Sequence, residues 1–277
     1  DWLPDANFAR QPLGKLKFYT NIYFFLTDTP RHADIVLPGS LMEEDEGTTT
    51  NVEGRVIRHR KVVSPPQGAW EDWKILCEIA RRLGKGDKFN YAGPREIFDE
   101  LRVASKGSVS DYYGMTWERI EENNGLFWPC PTADHPGTPR LYEDGKFGHP
   151  DGKAHFIPVE WRPSVEMPDE EYPIVLTTGR VVSQFLSGTQ TRRIGALIDQ
   201  IPQPFCEMHP QLATKLGIVD DDYVKVESRR GHVVVHAKVV KTIRPDTVFV
   251  PYHWPHDRSA NNMTIRALEP QSEIPEF

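Results

Sequence analysis

Cysteine is scarce in this 277-residue chain: Cys77, Cys130 and Cys206 stand alone, 53 and 76 residues apart. Without a CxxC pair, local spacing supplies neither an iron–sulfur cluster nor a zinc site. Three unclustered thiols fit a reducing compartment, so the expected location is cytoplasmic. No run of 18 or more apolar residues occurs, and the longest apolar stretches, such as residues 22–26, are strand-sized, which excludes a membrane-spanning helix. Basic residues are in deficit, 33 Lys and Arg against 40 Asp and Glu, for a net charge of −7. A generic nucleic-acid binder needs the opposite balance to neutralise phosphates. Ten histidines include no HExxH pair, and His253 and His256 flank Pro255, which forbids a regular helix there. No protein–metal bond is expected within the chain. No GxSxG nucleophile motif appears, and the Gly/Thr-rich segments lack the lysine of a phosphate-binding P-loop.

The chain does have many interruptions, with 24 Pro and 20 Gly, and an ordinary soluble composition of 38% hydrophobic and 26% charged residues. Its length suits two domains. Residues 15–37 read as strand-rich. In WEDWKILCEIARRLG, residues 70–84, the apolar positions Trp73, Leu76, Ile79, Ala80 and Leu83 recur at spacings of three and four, which predicts a helix closed by Gly84. Residues 85–168 read as a connector with little regular structure. It has a short helix near Pro94 with Ile97, Phe98 and Leu101 inward, and another near Thr116. The apolar side chains of its second half, residues 124–156, call for a partner surface to wrap over. From Tyr172 onward β-branched runs dominate, interrupted by one helix with Pro210 at its first position and Gly217 at its cap. Several strands around one helix predict a small barrel.

The final third carries an ordered set of short motifs. LTTGR (176–180) ends a strand: beside Thr178, Gly179 permits close backbone approach and Arg180 offers a fork of donors. SGTQTRR (187–193) puts three hydroxyls, one glycine and two guanidiniums within seven residues, so Ser187, Gly188, Thr189, Thr191 and Arg192 suit a pyrophosphate. An ordinary polar turn is the alternative for each. His209 in EMHP (207–210) is a helix-entry residue or a polar contact. Asn261 in NNMT (261–264) suits the edge of a base or pterin, or a turn. VESRRG (226–231) reads as a hairpin turned by Gly231, with Arg229 and Arg230 facing solvent. In EGTTTNVEGRV (46–56), Gly47, Thr48, Thr50 and Asn51 are fit to line a cofactor surface or a solvated loop.

Taken in order with VFVPYHW (248–254) and PEF (275–277), these motifs resemble the dinucleotide-binding domain of the molybdopterin guanine dinucleotide oxidoreductases. This is the large-subunit family of nitrate reductases, formate dehydrogenases and dimethyl sulfoxide reductases. The resemblance runs from about residue 18 to the end. It implies the end of an α/β domain over 1–84, an irregular connector over 85–170, and a six-stranded double-psi β-barrel over 171–277. It implies that Thr178, Gly179, Arg180, Ser187, Gly188, Thr189, Thr191, Arg192, His209 and Asn261 bind cofactor, with no catalytic residue in this chain. The implied cofactor is bis-molybdopterin guanine dinucleotide carrying molybdenum or tungsten, with a [4Fe-4S] cluster on an N-terminal portion. That portion, in the same or a separate chain, and an electron-transfer subunit or domain are the implied partners. A chain without cluster cysteines or a molybdenum ligand is expected to be inactive by itself. Many relatives have an aromatic or histidine residue where this chain has Phe185 and Leu186, and Glu or Leu where it has Asn262. WPCP, GTPRLY and GKAHF look most like assimilatory nitrate reductases and related formate dehydrogenases, in that order of expectation. A non-catalytic double-psi barrel that binds a nucleotide or protein is the alternative class.

Overall fold

The structure is a computed structural model and describes residues 3–275; Glu276 and Phe277, the end of the PEF motif, lie outside the described residues. Helix α1 (Ala6–Leu13) is followed by strands β1 (Thr20–Tyr23) and β2 (Ile35–Pro38), which pair as a two-stranded sheet. Next come β3 (Gly47–Thr50), β4 (Arg55–His59), helices α2 (Asp72–Arg82), α3 (Pro94–Ala104) and α4 (Trp117–Glu122), and the short β5 (Leu126–Phe127). No helix or strand is described between Phe127 and β6 (Val175–Gly179). The remaining elements are α5 (Gly195–Ile198), β7 (Phe205–Met208), α6 (Pro210–Leu216), β8 (Tyr223–Ser228), β9 (Gly231–Val239) and β10 (Thr247–Pro251). The chain divides into two compact units. One holds the chain up to Asn21, Phe25–Ile35 and everything from Glu160; the other holds Ile22–Phe24 and Val36–Val159.

In the second unit, β3, β4 and β5 make an antiparallel sheet. Its hairpin turn is built by Asn51, whose Oδ1 accepts from the N–H groups of Glu53 and Arg55, each at 3.0 Å. That side chain therefore closes a turn, as short amides do when they substitute for a backbone carbonyl. Val56, Phe98, Met115, Trp117, Ile120, Leu126 and Cys130 form the core. Thr116 caps α4 by accepting from Arg119 N–H at 3.2 Å. Phe98 is buried as the periodicity predicts, but Leu101 is 47% exposed. Along α2, Glu78 binds Arg81 and Arg82, and Gly84 takes a left-handed φ of +72° while Lys85 N–H closes on the Ala80 carbonyl. The buried stripe is nonetheless Ile75 and Ala80, whereas Leu76 and Leu83, expected inward, are 53% and 73% exposed. Spacing of three and four fixes that a stripe exists; neighbouring stripes lie only about 100° apart, and packing chooses between them.

In the first unit a five-stranded mixed sheet runs β6-β10-β7-β9-β8. β6 is parallel to β10 and β7 to β9, while β10 with β7 and β8 with β9 are antiparallel. Strand alternation sets the core: Val233, Val235 and Ala237 are buried along β9 while Val234 between them is exposed. They meet Cys206, Met208, Leu212, Ala213, Val248, Val250 and Met263. Burial pushes the Cys206 thiol up to about 12, which leaves it an apolar core group. Helix α6 starts on Pro210 and ends on Gly217 at φ +69°. Five strands are described, with β6 and β8 at the ends of the order; the expected sixth is not among them.

The VESRRG hairpin differs from its sequence reading. The turn residues are Arg229 and Arg230, since Ser228 pairs with Gly231. Gly231 opens β9, where an added Cβ would lie 2.8 Å from the Asn262 carbonyl oxygen. The two arginines do not simply face water: Arg229 and Arg230 bind Glu166 at 2.8 and 2.6 Å, and Arg229 also pairs with Asp169. The Arg230 guanidinium holds the Glu166 carboxyl below the usual carboxylate range.

Candidate cofactor-binding site

Strand register decides which of the expected residues share a place. Gly179 pairs with Pro251 at the end of β10, and Tyr252 N–H donates to the Gly179 carbonyl at 3.2 Å. β7 runs against β10 and parallel to β9, so the start of β9 points toward that same end. There Asn262 packs against Gly231, which brings the 260–262 turn with Asn261 to the end of the sheet that also carries Gly179. His209 is elsewhere. It follows Met208, which pairs with Val248, three residues from Pro251 and thus about 10 Å of strand away. Its Nδ1 accepts from Gln211 N–H at 3.2 Å, the cap of α6.

The segment from Arg180 to Arg193 is a loop shaped by its own side chains. Thr191 Oγ1 donates to Gln184 Oε1 at 2.7 Å and accepts from Phe185 N–H at 3.1 Å, so this hydroxyl is used inside the loop. Ser187 and Thr189 share a hydroxyl–hydroxyl contact of 2.9 Å. Gly188 has φ +69°, and a Cβ there would meet the His253 carbonyl oxygen at 2.7 Å and Arg192 Nε at 2.8 Å. Gly179 is required by packing too: a Cβ would lie 2.7 Å from the Phe249 ring. Thr178 sits opposite Val250 in the β6–β10 ladder, and Arg180 is exposed. Asn261 is buried and accepts from Thr264 Oγ1 at 3.1 Å.

Two features of this end go beyond the sequence reading, which names Arg192 as a cofactor contact but not its buried neighbours. First, His253 is fully buried, with Nε2 accepting from Val181 N–H at 2.9 Å and Nδ1 donating to the Leu186 carbonyl. Burial, then the charges of Arg180 and Arg192, push its pKa below the ordinary value, against the Leu186 contact. Second, polar atoms are buried here without a hydrogen-bond partner: Ser183 Oγ, Gln184 Nε2, Arg192 Nε, Ser259 Oγ and Asp28 Oδ2. The signal available in sequence was a Ser-Gln pair inside the apolar run VVSQFL, and a histidine between Tyr252 and Trp254. Arg192 is the most telling. Burial lowers its pKa, Arg193 adds to this, and Asp28 opposes it, yet among the described residues no carboxylate lies within ion-pair distance. A partly desolvated cation and buried donors without partners cost free energy unless something polar meets them. The donor set of one guanidinium, one amide and hydroxyls beside backbone N–H groups suits a phosphate-bearing group and fits a nucleotide-tailed cofactor.

Comparison with known proteins finds matches along the chain. Residues 174–277 match the molydopterin dinucleotide binding domain, and residues 3–82 match the molybdopterin oxidoreductase domain. The assimilatory nitrate reductase catalytic subunit of Bacillus subtilis is 44% identical over 276 residues, covering 99% of this chain and 39% of that protein. The F420-dependent formate dehydrogenase subunit alpha of Methanocaldococcus jannaschii is 40% identical over 274 residues, covering 99% of this chain and 40% of the relative. The chain thus spans about two-fifths of the length of the curated relatives it matches. Among solved structures, acetylene hydratase from Pelobacter acetylenicus shares the fold with a TM-score of 0.77 at 21% identity, over 99% of this chain and 41% of that one. The chain thus carries both a molybdopterin oxidoreductase domain match and a molydopterin dinucleotide binding domain match, as the molybdopterin oxidoreductases do.

Proposed function

We propose that this chain is the C-terminal, cofactor-binding part of a molybdenum oxidoreductase, and that nitrate reduction is its reaction. The carrying observation is Arg192, a half-buried guanidinium whose buried Nε has no hydrogen-bond partner, whose Nη2 reaches the Ser187 carbonyl at 3.5 Å, and which has no carboxylate within ion-pair distance among the described residues. In this reading Arg192, Gln184 Nε2, Ser183 and Ser259 receive the phosphates and sugar of a molybdopterin guanine dinucleotide. Ser187, Gly188 and Thr189 give the backbone room to approach it. Thr191 shapes the loop, and Arg180, at the exposed rim, adds charge. Thr178, Gly179 and Asn261 belong to the same end of the sheet. His209, at the other end, fits a helix cap better than a cofactor contact.

The bound metal centre, molybdenum or tungsten held by two pterin dithiolenes, supplies two-electron chemistry, and this chain supplies binding, orientation and exclusion of water. The five-stranded sheet is the larger part of a double-psi barrel in this proposal. Residues 1–84 then end an α/β domain, 85–170 connect, and an N-terminal portion with a [4Fe-4S] cluster and an electron-transfer partner complete the enzyme. Formate oxidation is the second reading, because a formate dehydrogenase subunit is 40% identical, close behind the nitrate reductase at 44%.

Metal and nucleotide analysis of the intact enzyme tests the proposal. About two guanine nucleotides per molybdenum or tungsten are expected, with nitrate-dependent oxidation of a reduced dye. A protein free of both metal and nucleotide overturns the assignment; formate-dependent dye reduction without nitrate turnover selects the second reading.

A further inference from the structure

One imidazole is joined to two backbone groups of the same loop. Val181 N–H donates to His253 Nε2 at 2.9 Å, and His253 Nδ1–H donates to the Leu186 carbonyl. This assignment of donors leaves one protonation state: Nε2 must be bare and Nδ1 must carry the proton. An imidazolium would turn an N–H toward Val181 N–H and lose the first bond. The rings of Tyr252 and Trp254 flank the imidazole, with centroids 4.6 and 6.0 Å away, and the His253 carbonyl lies against Gly188.

The loop needs such a fastening. Leu186 has φ +48° and Gly188 φ +69°, and a left-handed non-glycine residue costs roughly 1–2 kcal/mol. Conformations of that kind persist where the surroundings over-determine them. Inside the loop, Gly188 N–H reaches the Phe185 carbonyl at 2.8 Å and Arg192 N–H the Gly188 carbonyl at 2.9 Å, so the bend at Leu186 and the placement of Arg192 are one mechanical unit. Among the described residues, the only side chain outside the loop hydrogen-bonded to both Val181 and Leu186 is His253.

We infer that His253 is a positioning residue: its two bonds to the 181–192 loop hold the unpaired donors of Gln184 and Arg192 where a nucleotide phosphate meets them. It touches no reacting atom. The inference rests on the nucleotide-binding reading of this loop, and it adds that loop shape, and hence cofactor retention, depends on one neutral histidine. Replacement by a residue of similar volume without the two bonds should release the nucleotide while sparing the core.

The test compares the intact enzyme with His253→Phe, His253→Asn and, as a core control away from the loop, Val235→Ala. Val235 is buried on β9 within the hydrophobic core. Two readouts are taken at matched thermal stability: guanine nucleotide retained after gel filtration, and amide hydrogen exchange of the peptide spanning 181–192. His253→Phe is expected to lose most of its nucleotide and to speed loop exchange by roughly tenfold or more. His253→Asn, which keeps a donor for Leu186, should fall between, and Val235→Ala should leave both readouts at the wild-type level. Retention and exchange in His253→Phe equal to those of Val235→Ala overturn the inference. A wild-type enzyme without nucleotide, whose loop exchange still rises in His253→Phe, overturns the nucleotide reading alone.

Discussion

At the scale of single residues, this site is governed by what lies too close for a side chain and what is too buried for a charge. Gly188 shows the first. An alanine there would need φ +69° and would place its Cβ 2.7 Å from the His253 carbonyl, a backbone atom that cannot step aside cheaply. We expect Gly188→Ala to destabilise the first unit by about 1–3 kcal/mol and to weaken nucleotide retention, read as a lowered urea midpoint and a nucleotide assay. An unchanged midpoint would show that the loop relaxes freely. His253 shows the second. Its folded pKa lies below the ordinary 6.5, because of burial and then the nearby Arg180 and Arg192, with Tyr252 beside it. The unfolded chain therefore takes up the proton first, and stability rises with pH: the contribution is complete above about pH 6.5 and is lost as pH falls from there toward the folded value. The loss is at most about 1.4 kcal/mol per pH unit. Urea titrations at pH 7 and pH 5 check it, since His253→Phe should show a smaller drop than the wild type. Equal drops would assign the effect to other groups.

Elements explain which sequence readings transfer to the structure. His209 and Asn261 looked alike as candidates, each a polar residue beside a turn, but strand pairing sends them to opposite ends of β10. His209→Ala should therefore cost about 1 kcal/mol through the lost cap on α6, visible as a lower melting temperature, with nucleotide content unchanged. Loss of nucleotide without loss of stability would instead return His209 to the site. The same contrast shows what the sequence makes legible. Pro210 and Gly217 bracket α6, and Gly84 closes α2, because caps are local chemistry carried by one or two residues. The β-branched runs also foretold β6, β8, β9 and β10, but not the short β7, whose Phe205–Met208 carries no β-branched residue. Mixed pairing, with β6 parallel to β10 and β7 parallel to β9, has no local signature, so neither the strand order nor the number of strands could be counted from the runs. Gly179 was a candidate for close ligand approach, whereas the nearest demand on it is the Phe249 ring, two places along the neighbouring strand from Pro251. Gln184 and Ser183 escaped notice, and His253 was weighed only as half of a metal pair, because their importance lies in being buried, and burial is set by contacts far apart in sequence, as between Val181 and His253, 72 positions on.

For the molecule as a whole, the informative surface is apolar. Between Val159 and Met167 and just before it, the chain has no regular structure, and Phe156, Val159 and Trp161 are 95%, 88% and 85% exposed. Ile157 at 78% and Val165 at 66% continue the stretch. Scattered exposed hydrophobes are normal, but five within ten residues make a contiguous strip of the kind that marks an interaction surface or an aggregation liability. Its alternating members Ile157, Val159 and Trp161 would share one face of an extended strand. The 277-residue polypeptide by itself is therefore expected to self-associate through this strip, and charge repulsion at a net −7 opposes that only at low salt. Sedimentation velocity over a range of micromolar concentrations, at low and high ionic strength, measures it. The double substitution Phe156→Ser with Trp161→Ser should shift the distribution toward monomer while moving the thermal midpoint little, since exposed side chains contribute within about 0.5 kcal/mol. A monomeric wild-type polypeptide at high salt would refute the strip as a sticky surface, and a large loss of stability in the double variant would show that these rings are packed rather than bare.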